Sequence, residues 1–538
     1  LTGWIYQTTP QGFIPEEDQG YFFAIVEAPP SVSLNYSVDL VKKITEEVVK
    51  PLPEVEHVVG NAGFGFEGNA SNKSLFFVKL KDWEERHGGE HSVFGILQKI
   101  NKGLREKIPG AVAIAVNAPP VDGLGSTGGF EMYIQNKQAL PMEALIDNTQ
   151  KVIAAAQKRP ELGGVFSQFT FNAPMMQISI DRNQAKAQNI RVSDIFSTMQ
   201  TYLGASYINQ YVLGGRLYRV YAQAEGTVRS NPEDLSRLYV RSQNGNLVQL
   251  SSLVQLERIT YPPVITHYNV YPSIKIQGAP APGYSTGQAI QAMEAIANEV
   301  LQPGFGFAWT GTALQEKSSG GAAPIIFGLA FVMVFLVLAA QYESYVDPTI
   351  IMITVPLAIL GALGAVVFRA NLFQTGGVWP VVNNNIYAQV ALVMLIGLAS
   401  KNAILIVEFA NQSVELGMNI TKAAIRACEE RLRPILMTAF AGLVGFWPLV
   451  IASGAGAMSR WSLGTALFGG YLISTILSLF LVPVLYVVIK NLEERFLKPG
   501  KPNKPSSPQH PEQGQPPQLQ PDQKEQALPT FRTTPQNE

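Results

Sequence analysis

The sequence is poor in charge and almost devoid of cysteine. Only 15% of its 538 residues are Asp, Glu, Lys or Arg, and 40 basic residues are balanced by 41 acidic ones. A nucleic-acid binder relies on clustered positive charge, so no nucleic acid is expected as a partner. The single cysteine, Cys428, cannot close an internal disulfide, which leaves packing or lipid to supply stability. A phosphate-cradling loop is also missing, because the glycine-rich "GAGA" at 454–457 lacks the required lysine. ATP hydrolysis is therefore not expected, nor an enzyme of another kind, and nothing points to a cofactor. The stretch "RHGGEH" brings His87, Glu90 and His91 together, but two glycines argue for a solvated loop over a helix with paired ligands, so no metal is expected. The opening "LTGWIYQTTP" carries neither a methionine nor an export signal.

Apolar residues are plentiful, at 47%, and unevenly spread. The second half holds five windows, about 324–340, 349–368, 386–409, 434–452 and 462–489, that meet the roughly 17 to 25 residues a helix needs to cross a bilayer. The expected fold class is a membrane α-helical bundle joined to an α+β region. Lys422, Arg426, Arg431 and Arg433 follow the third window, and Lys490, Arg495, Lys498, Lys501 and Lys504 follow the fifth. The other side has only Arg369 and Arg460. The richer side is the cytoplasmic one. Residues 1–320 then lie outside, and with no export signal of their own they imply the C-terminal part of a longer polypeptide or one chain of a split one.

In that exported part, short apolar runs alternate with helical periodicity. "YFFAIVEAPP", "NYSVDLVKKITEEVVKPL", "LFFVKLKDW", a helix near 93–107 and "AVAIAVNAP" read as one α+β unit over 13–119. A second unit combines 120–172 with 265–315, and 173–264 is inserted between them. Both are expected to be ferredoxin-like, split βαβ arrangements with helices on one face of an antiparallel sheet. Residues 1–12 are expected to be a remnant on the exported side, after a helix missing from this sequence, leading into the first unit. The Pro- and Gln-rich 491–538 is expected to be a disordered cytoplasmic tail.

Within "LIGLASKNAILIVEFA" (395–410), Lys401 lies in a mostly apolar run. It stands eight residues, or roughly 12 Å at 1.5 Å per residue, from the inner end of its span near Phe409. A lysine stem covers about half that distance, and an unpaired charge near mid-bilayer costs on the order of 2.5–3.5 kcal/mol. Two readings follow. Either a tilted helix brings Lys401 near its end, or the lysine pairs with a carboxylate in a bundle interior. The windows themselves contain no mid-span carboxylate, so that partner would come from helices elsewhere, and its protonation would release the lysine. Arg431 and Thr438, seven residues apart, share one helix face. They read either as an interfacial anchor and a self-bonded hydroxyl or as members of the same proton path. The loop "GFGFEG" (63–68) offers glycine freedom around Phe64 and Phe66, as a mobile segment or as a tight turn over a core.

Taken together, "GFIPEEDQG", "NAGFGFEGN", "FVKLKDW", "APAPGYSTGQA", "AAQYESYVDP", "GLASKNAILIVEFA", "RLRPILMTAFAGLVGFWPLVIASGAGA" and "LVPVLYVV" resemble the resistance-nodulation-cell division (RND) superfamily, specifically its exporters of hydrophobic and amphiphilic drugs. The resemblance runs in family order from residue 12 to 490. It implies the C-terminal half of a proton-driven drug antiporter of the bacterial inner membrane. Such a half works with an N-terminal half carrying paired aspartates, as a homotrimer, with a periplasmic adaptor and an outer-membrane channel. It also implies proton-relay roles for Lys401, Arg431 and Thr438, a switch-loop role for Phe64 and Phe66, and a pocket wall at Phe77. Phe130 and Met132 become an entry-side aromatic position, and Val59 stands where the family has a pocket phenylalanine. A non-pumping export auxiliary, an assembly scaffold or a degenerate fragment are the competing readings.

Overall fold

A computed structural model describes residues 2–320, 322–374 and 382–497. A short helix, α1 (Thr2–Thr8), precedes the first α/β unit. That unit comprises β1 (Tyr21–Glu27), α2 (Leu34–Ile44), β2 (Val55–Ala62), β3 (Lys73–Leu80), α3 (Val93–Lys107) and β4 (Val112–Asn117). Its antiparallel sheet has the order β2-β3-β1-β4. Strand alternation divides the side chains between two faces. Phe22, Ala24, Val26, Phe76, Val78 and Leu80 pack under the helices, whereas Phe23, Ile25 and Leu75 join a second cluster on the opposite face.

The second unit begins with β5 (Phe130–Asn136), α4 (Met142–Ala156) and β6 (Leu162–Phe166). An insertion follows, containing β7 (Ala173–Ile180), α5 (Arg182–Ala187), α6 (Val192–Met199), β8 (Ser206–Leu213), β9 (Arg216–Ala222), β10 (Tyr239–Arg241), β11 (Leu247–Gln249) and β12 (Val254–Tyr261). It pairs β7 with β12, β8 with β9 and β10 with β11, and has a core of its own around Ile195, Leu235 and Leu250. The chain then returns through β13 (Thr266–Tyr268), β14 (Tyr271–Pro280), α7 (Thr286–Val300) and β15 (Phe305–Thr310) to complete a sheet of order β13-β14-β5-β15, with β6 also on β14. Ser285 starts α7 with a capping box, its hydroxyl accepting from Gln288 N while the Gln288 side chain accepts from Ser285 N.

The remaining helices are α8 (Gly311–Ser319), α9 (Ala322–Tyr342), α10 (Val346–Met352), α11 (Val355–Gln374), α12 (Ile386–Glu415), α13 (Ile420–Val450) and α14 (Ala457–Leu497). Among the described residues, five helical stretches are long and apolar enough to cross a membrane: Ala323–Tyr342, Val346–Leu372, Ile386–Glu415, Ile420–Val450 and Ala457–Arg495. The fourth differs from the sequence expectation, since α13 begins at Ile420 and passes through Pro434 and Pro448 without ending. The charged stretch before Pro434 is thus a helical continuation of the span, and it carries Arg431 within a regular helix. Of the tail expected to be disordered over 491–538, residues 491–497 are instead the helical end of α14, and the rest lies outside the described residues.

Small residues set the spacing of these helices. A Cβ on Gly361 would stand 2.5 Å from Ile473 Cβ, and one on Gly470 would collide with Leu395 Cδ1, so α11, α12 and α14 meet through glycine. Arg369, on α11, donates to Val450 O at 3.0 Å and Thr465 Oγ1 at 2.7 Å. At the other end of the bundle, Lys490 Nζ lies 2.9 Å from Asp347 Oδ1, and Asn411 Nδ2 donates to Asp347 Oδ2 at 3.0 Å.

Two consecutive carboxylates join the bundle to the first unit. Glu17 accepts from Met458 N (3.0 Å) and Ser459 N (2.8 Å) at the start of α14. Its own carbonyl accepts from Asn117 Nδ2 at 3.0 Å. Asp18 turns the other way and accepts from Val93 N at the start of α3, at 2.8 Å. It also binds Arg86 through Nη1 to Oδ2 at 3.0 Å and Nη2 to Oδ1 at 3.1 Å. Both carboxylates sit where a helix N-terminus favours negative charge.

Candidate functional site

Lys401 is exposed on α12. Val390, Met394, Gly397 and Glu408 are exposed as well, at spacings that put all five on one side of the helix. No carboxylate of the described residues comes within salt-bridge distance of Lys401 Nζ. Arg369 and Lys490, by contrast, have the partners given above.

Neighbouring α13 runs antiparallel to α12 after a short turn. Arg431 Cζ stands 4.9 Å over the Phe409 ring, a cation–π contact, and its Nε has no hydrogen-bond partner among the described residues. Eight positions back along α12 from Phe409 is Lys401. Eight positions on along α13 from Arg431 is Ala439, next to Thr438. The antiparallel register thus brings Lys401 and Thr438 to one level, with Arg431 about two turns away. Thr438 Oγ1 donates to Ile435 O at 3.1 Å, the self-bonded arrangement considered from the sequence.

A buried polar group beside Lys401 was not anticipated. Asn402 Nδ2 donates to Thr475 Oγ1 on α14 at 3.2 Å, while Asn402 Oδ1 and the Ser474 hydroxyl have no partner among the described residues. Asparagine is costly in an apolar span, and that alone could have marked Asn402 from the sequence.

The second region lies where the two α/β units meet. Gly63 and Gly68 adopt φ of +82° and +113°, which non-glycine residues rarely do, so the loop between β2 and β3 depends on them. Phe64 is 41% exposed and Phe77 38% exposed, while Phe66 is partly covered. Phe66 and Phe77 both stand edge-on to Phe23, with centroids 5.4 Å away in each case. Val59 is the direct cross-strand partner of Phe77 and is 56% exposed. Phe66 and Phe77 therefore sit on or beside the sheet face that α2 and α3 leave uncovered, and Phe64 is exposed in the adjoining loop.

Phe130 and Met132 are a correction. Both are buried, at 1% and 0%, in the core beneath α4 and α7, and Phe130 packs edge-on against Trp309. The reason is strand parity: Phe130, Met132 and Ile134 point to the helices, so Glu131 and Tyr133 point to the other face. That other face is polar. Glu131 Oε1 accepts from Ser126 N, Ser126 Oγ and Gln277 Nε2 at 2.9, 2.7 and 3.0 Å, and Tyr133 stacks on Tyr268 with centroids 4.3 Å apart.

A cleft of about 790 Å³ opens between the units, lined by Glu16, Asn101, Arg105, Ile114, Phe166 and Thr286 among others. Glu16 is half-buried as a residue, but its Oε1 is sealed from solvent and unpartnered among the described residues. Burial pushes its carboxyl up from 4.5 to about 7. Burial also raises Glu316 to about 7, against partial relief from Thr286 and Phe13 N. The folded state therefore holds these protons where the unfolded chain has lost them, so the contribution of these two groups to stability falls as pH rises from about 4.5 to about 7 and stops changing above that. Each group contributes up to about 1.4 kcal/mol per pH unit in that window. A Glu16→Gln change is expected to remove one share of this slope, read as a smaller loss of thermal stability between pH 5 and pH 7 than in the parent.

Residues 1–490 match the family model described as the AcrB/AcrD/AcrF family. The chain is 39% identical over 490 residues to a multidrug/solvent efflux pump membrane transporter, MepB, of Pseudomonas putida, covering 91% of this chain and 45% of the relative. It is 37% identical over 490 residues to the multidrug export protein AcrF of Escherichia coli K12, covering 90% of this chain and 46% of the relative. To the multidrug resistance protein MdtF of the same organism it is 36% identical over 497 residues, covering 92% and 47%. The chain spans about half the length of the curated relatives it matches. With a match that takes in the α/β units and the five apolar helices alike, the chain belongs to the AcrB/AcrD/AcrF family.

Proposed function

We propose that this chain is the C-terminal half of a proton-driven exporter of hydrophobic and amphiphilic compounds in a bacterial inner membrane. The observation that carries the reading is Lys401, a lysine in a membrane-length helix, on an exposed stripe, with no carboxylate of the described residues to pair with. Helices of an N-terminal half would cover that stripe and supply the acid. Protonation of that acid would then uncouple it from Lys401, with Thr438 and Arg431 continuing the proton path along α13. The membrane potential supplies about 2.3 kcal/mol per charge per 100 mV for such a step.

The two α/β units would be split-βαβ porter subdomains on the periplasmic side, with the insertion docking outward. The strand orders of both sheets support that reading. Phe64, Phe66 and Phe77 would line the substrate path, and the cleft that holds Glu16 would admit compounds to it. The full machine would be a trimer joined to a periplasmic adaptor and an outer-membrane channel, as the family resemblance implies.

Co-expression tests the proposal. In a pump-deficient bacterium, dye efflux is expected when this chain is produced with a companion N-terminal half and not when it is produced alone. Efflux by the chain alone, or none from the pair when both insert stably, contradicts it.

A further inference from the structure

An ion pair ties the loop at 61–69 to the other α/β unit. Lys275, on β14, places Nζ 3.2 Å from Glu67 Oε1, and the two side chains are only 11% and 17% exposed. Glu67 sits between Gly65 and Gly68, the second of which has positive φ and open space where a Cβ would be. Gly68 leaves the backbone beside Glu67 without a Cβ restraint, while Lys275 is held in a central strand between β13 and β5.

Lys275 also has a second acid within reach. Its Nζ donates to Ser126 Oγ at 3.4 Å, and that hydroxyl donates to Glu131 Oε1 at 2.7 Å. Burial pulls the Lys275 ammonium down, but Glu131 and then Glu67 outweigh it and hold the group above its ordinary value. Glu131 is immobile, held in β5 and by Gln277. One lysine thus serves a fixed carboxylate and a movable one. Losing Glu67 does not strand a buried charge, which is the usual penalty for opening such a pair.

We propose that Glu67 and Lys275 form a latch that holds the glycine loop closed against the second unit, and that Lys275 passes to Glu131 when the loop opens. Both are positioning residues. They set where Phe64 and Phe66 stand without belonging to the aromatic surface themselves. The inference rests on the reading of that surface as part of a substrate path, but the latch can be tested apart from transport.

Hydrogen exchange of the full chain, purified with its companion half, reads the latch through the peptide covering 61–73, whose Gly63 N–H donates to Lys73 O at 2.7 Å. Glu67→Gln and Lys275→Met are expected to speed exchange there by about tenfold or more, the scale set by losing a charge-assisted hydrogen bond. Lys275→Arg, which keeps the charge, is expected to stay within about threefold of the parent on the same scale. In Glu67→Gln, which leaves Lys275 and Glu131 in place, exchange in the peptide covering 129–136 should not change, which separates loop release from unfolding of the sheet. Unchanged exchange at 61–73 in both Glu67→Gln and Lys275→Met overturns the latch, as does a Lys275→Arg variant as loose as Lys275→Met. If dye efflux is absent while the exchange results hold, the transport reading fails and the latch stands.

Discussion

Replacing Asp18 with alanine is expected to destabilise the first α/β unit by about 3–5 kcal/mol, the cost of leaving one member of a buried ion pair without its partner. The Arg86 side chain is 1% exposed and that of Asp18 11%. Without the carboxylate, the guanidinium retains among the described residues only Lys81 O at 2.7 Å and His91 O at 3.0 Å, two neutral acceptors for a full charge. The change also removes an acceptor from Val93 N at the start of α3, from Gly20 N at 3.0 Å and from Trp83 Nε1 at 3.2 Å. Asp18→Asn keeps the size and one acceptor but not the charge, so a smaller loss is expected. Thermal unfolding followed by tryptophan fluorescence should rank the parent above Asp18→Asn and Asp18→Ala lowest. Equal stability of parent and Asp18→Ala contradicts the account.

Lys401→Ala is expected to have the opposite profile. Its side chain is exposed and makes no ion pair among the described residues, so its removal leaves none of them without a charge partner. Taking a charge out of a helix centre should even ease insertion, by on the order of 2.5–3.5 kcal/mol on the translocon scale. Transport is expected to fall to background nonetheless in the complex with a companion half. A variant that inserts as well as the parent and pumps nothing separates a coupling role from a folding one. Membrane-fraction yield and dye efflux, measured on the same cells, give both readings. Retained efflux in Lys401→Ala sinks the proton-relay proposal and favours a non-pumping role.

How legible all this was in the sequence differs from element to element. The five apolar helices were readable because membrane length is a strong signal. The start of α13 was not, since a proline preceded by charge reads as a boundary, yet here the helix runs on through Pro434. The short α1 carries too little periodicity to identify, and its place is fixed by packing on α11, where Thr2 Oγ1 donates to Pro356 O at 3.2 Å. Family resemblance set Phe130 and Met132 at a pocket, although the alternation in "FEMYIQN" already separated an apolar face from a polar one. Residue type flagged Lys401, but only the fold shows that its side of α12 is the uncovered one. Glu67 and Lys275, 208 positions apart in the chain, could not have been linked without the sheets that bring them together.

Glu17 and Asp18 leave almost no slack between a membrane-length helix and the α/β unit beside it. Their Cα atoms are about 3.8 Å apart, as in any trans peptide, and each carboxylate grips the first turn of a different helix. A shift of α14 relative to α3 would have to be absorbed within these two side chains and the single peptide between them, or break the hydrogen bonds at one grip.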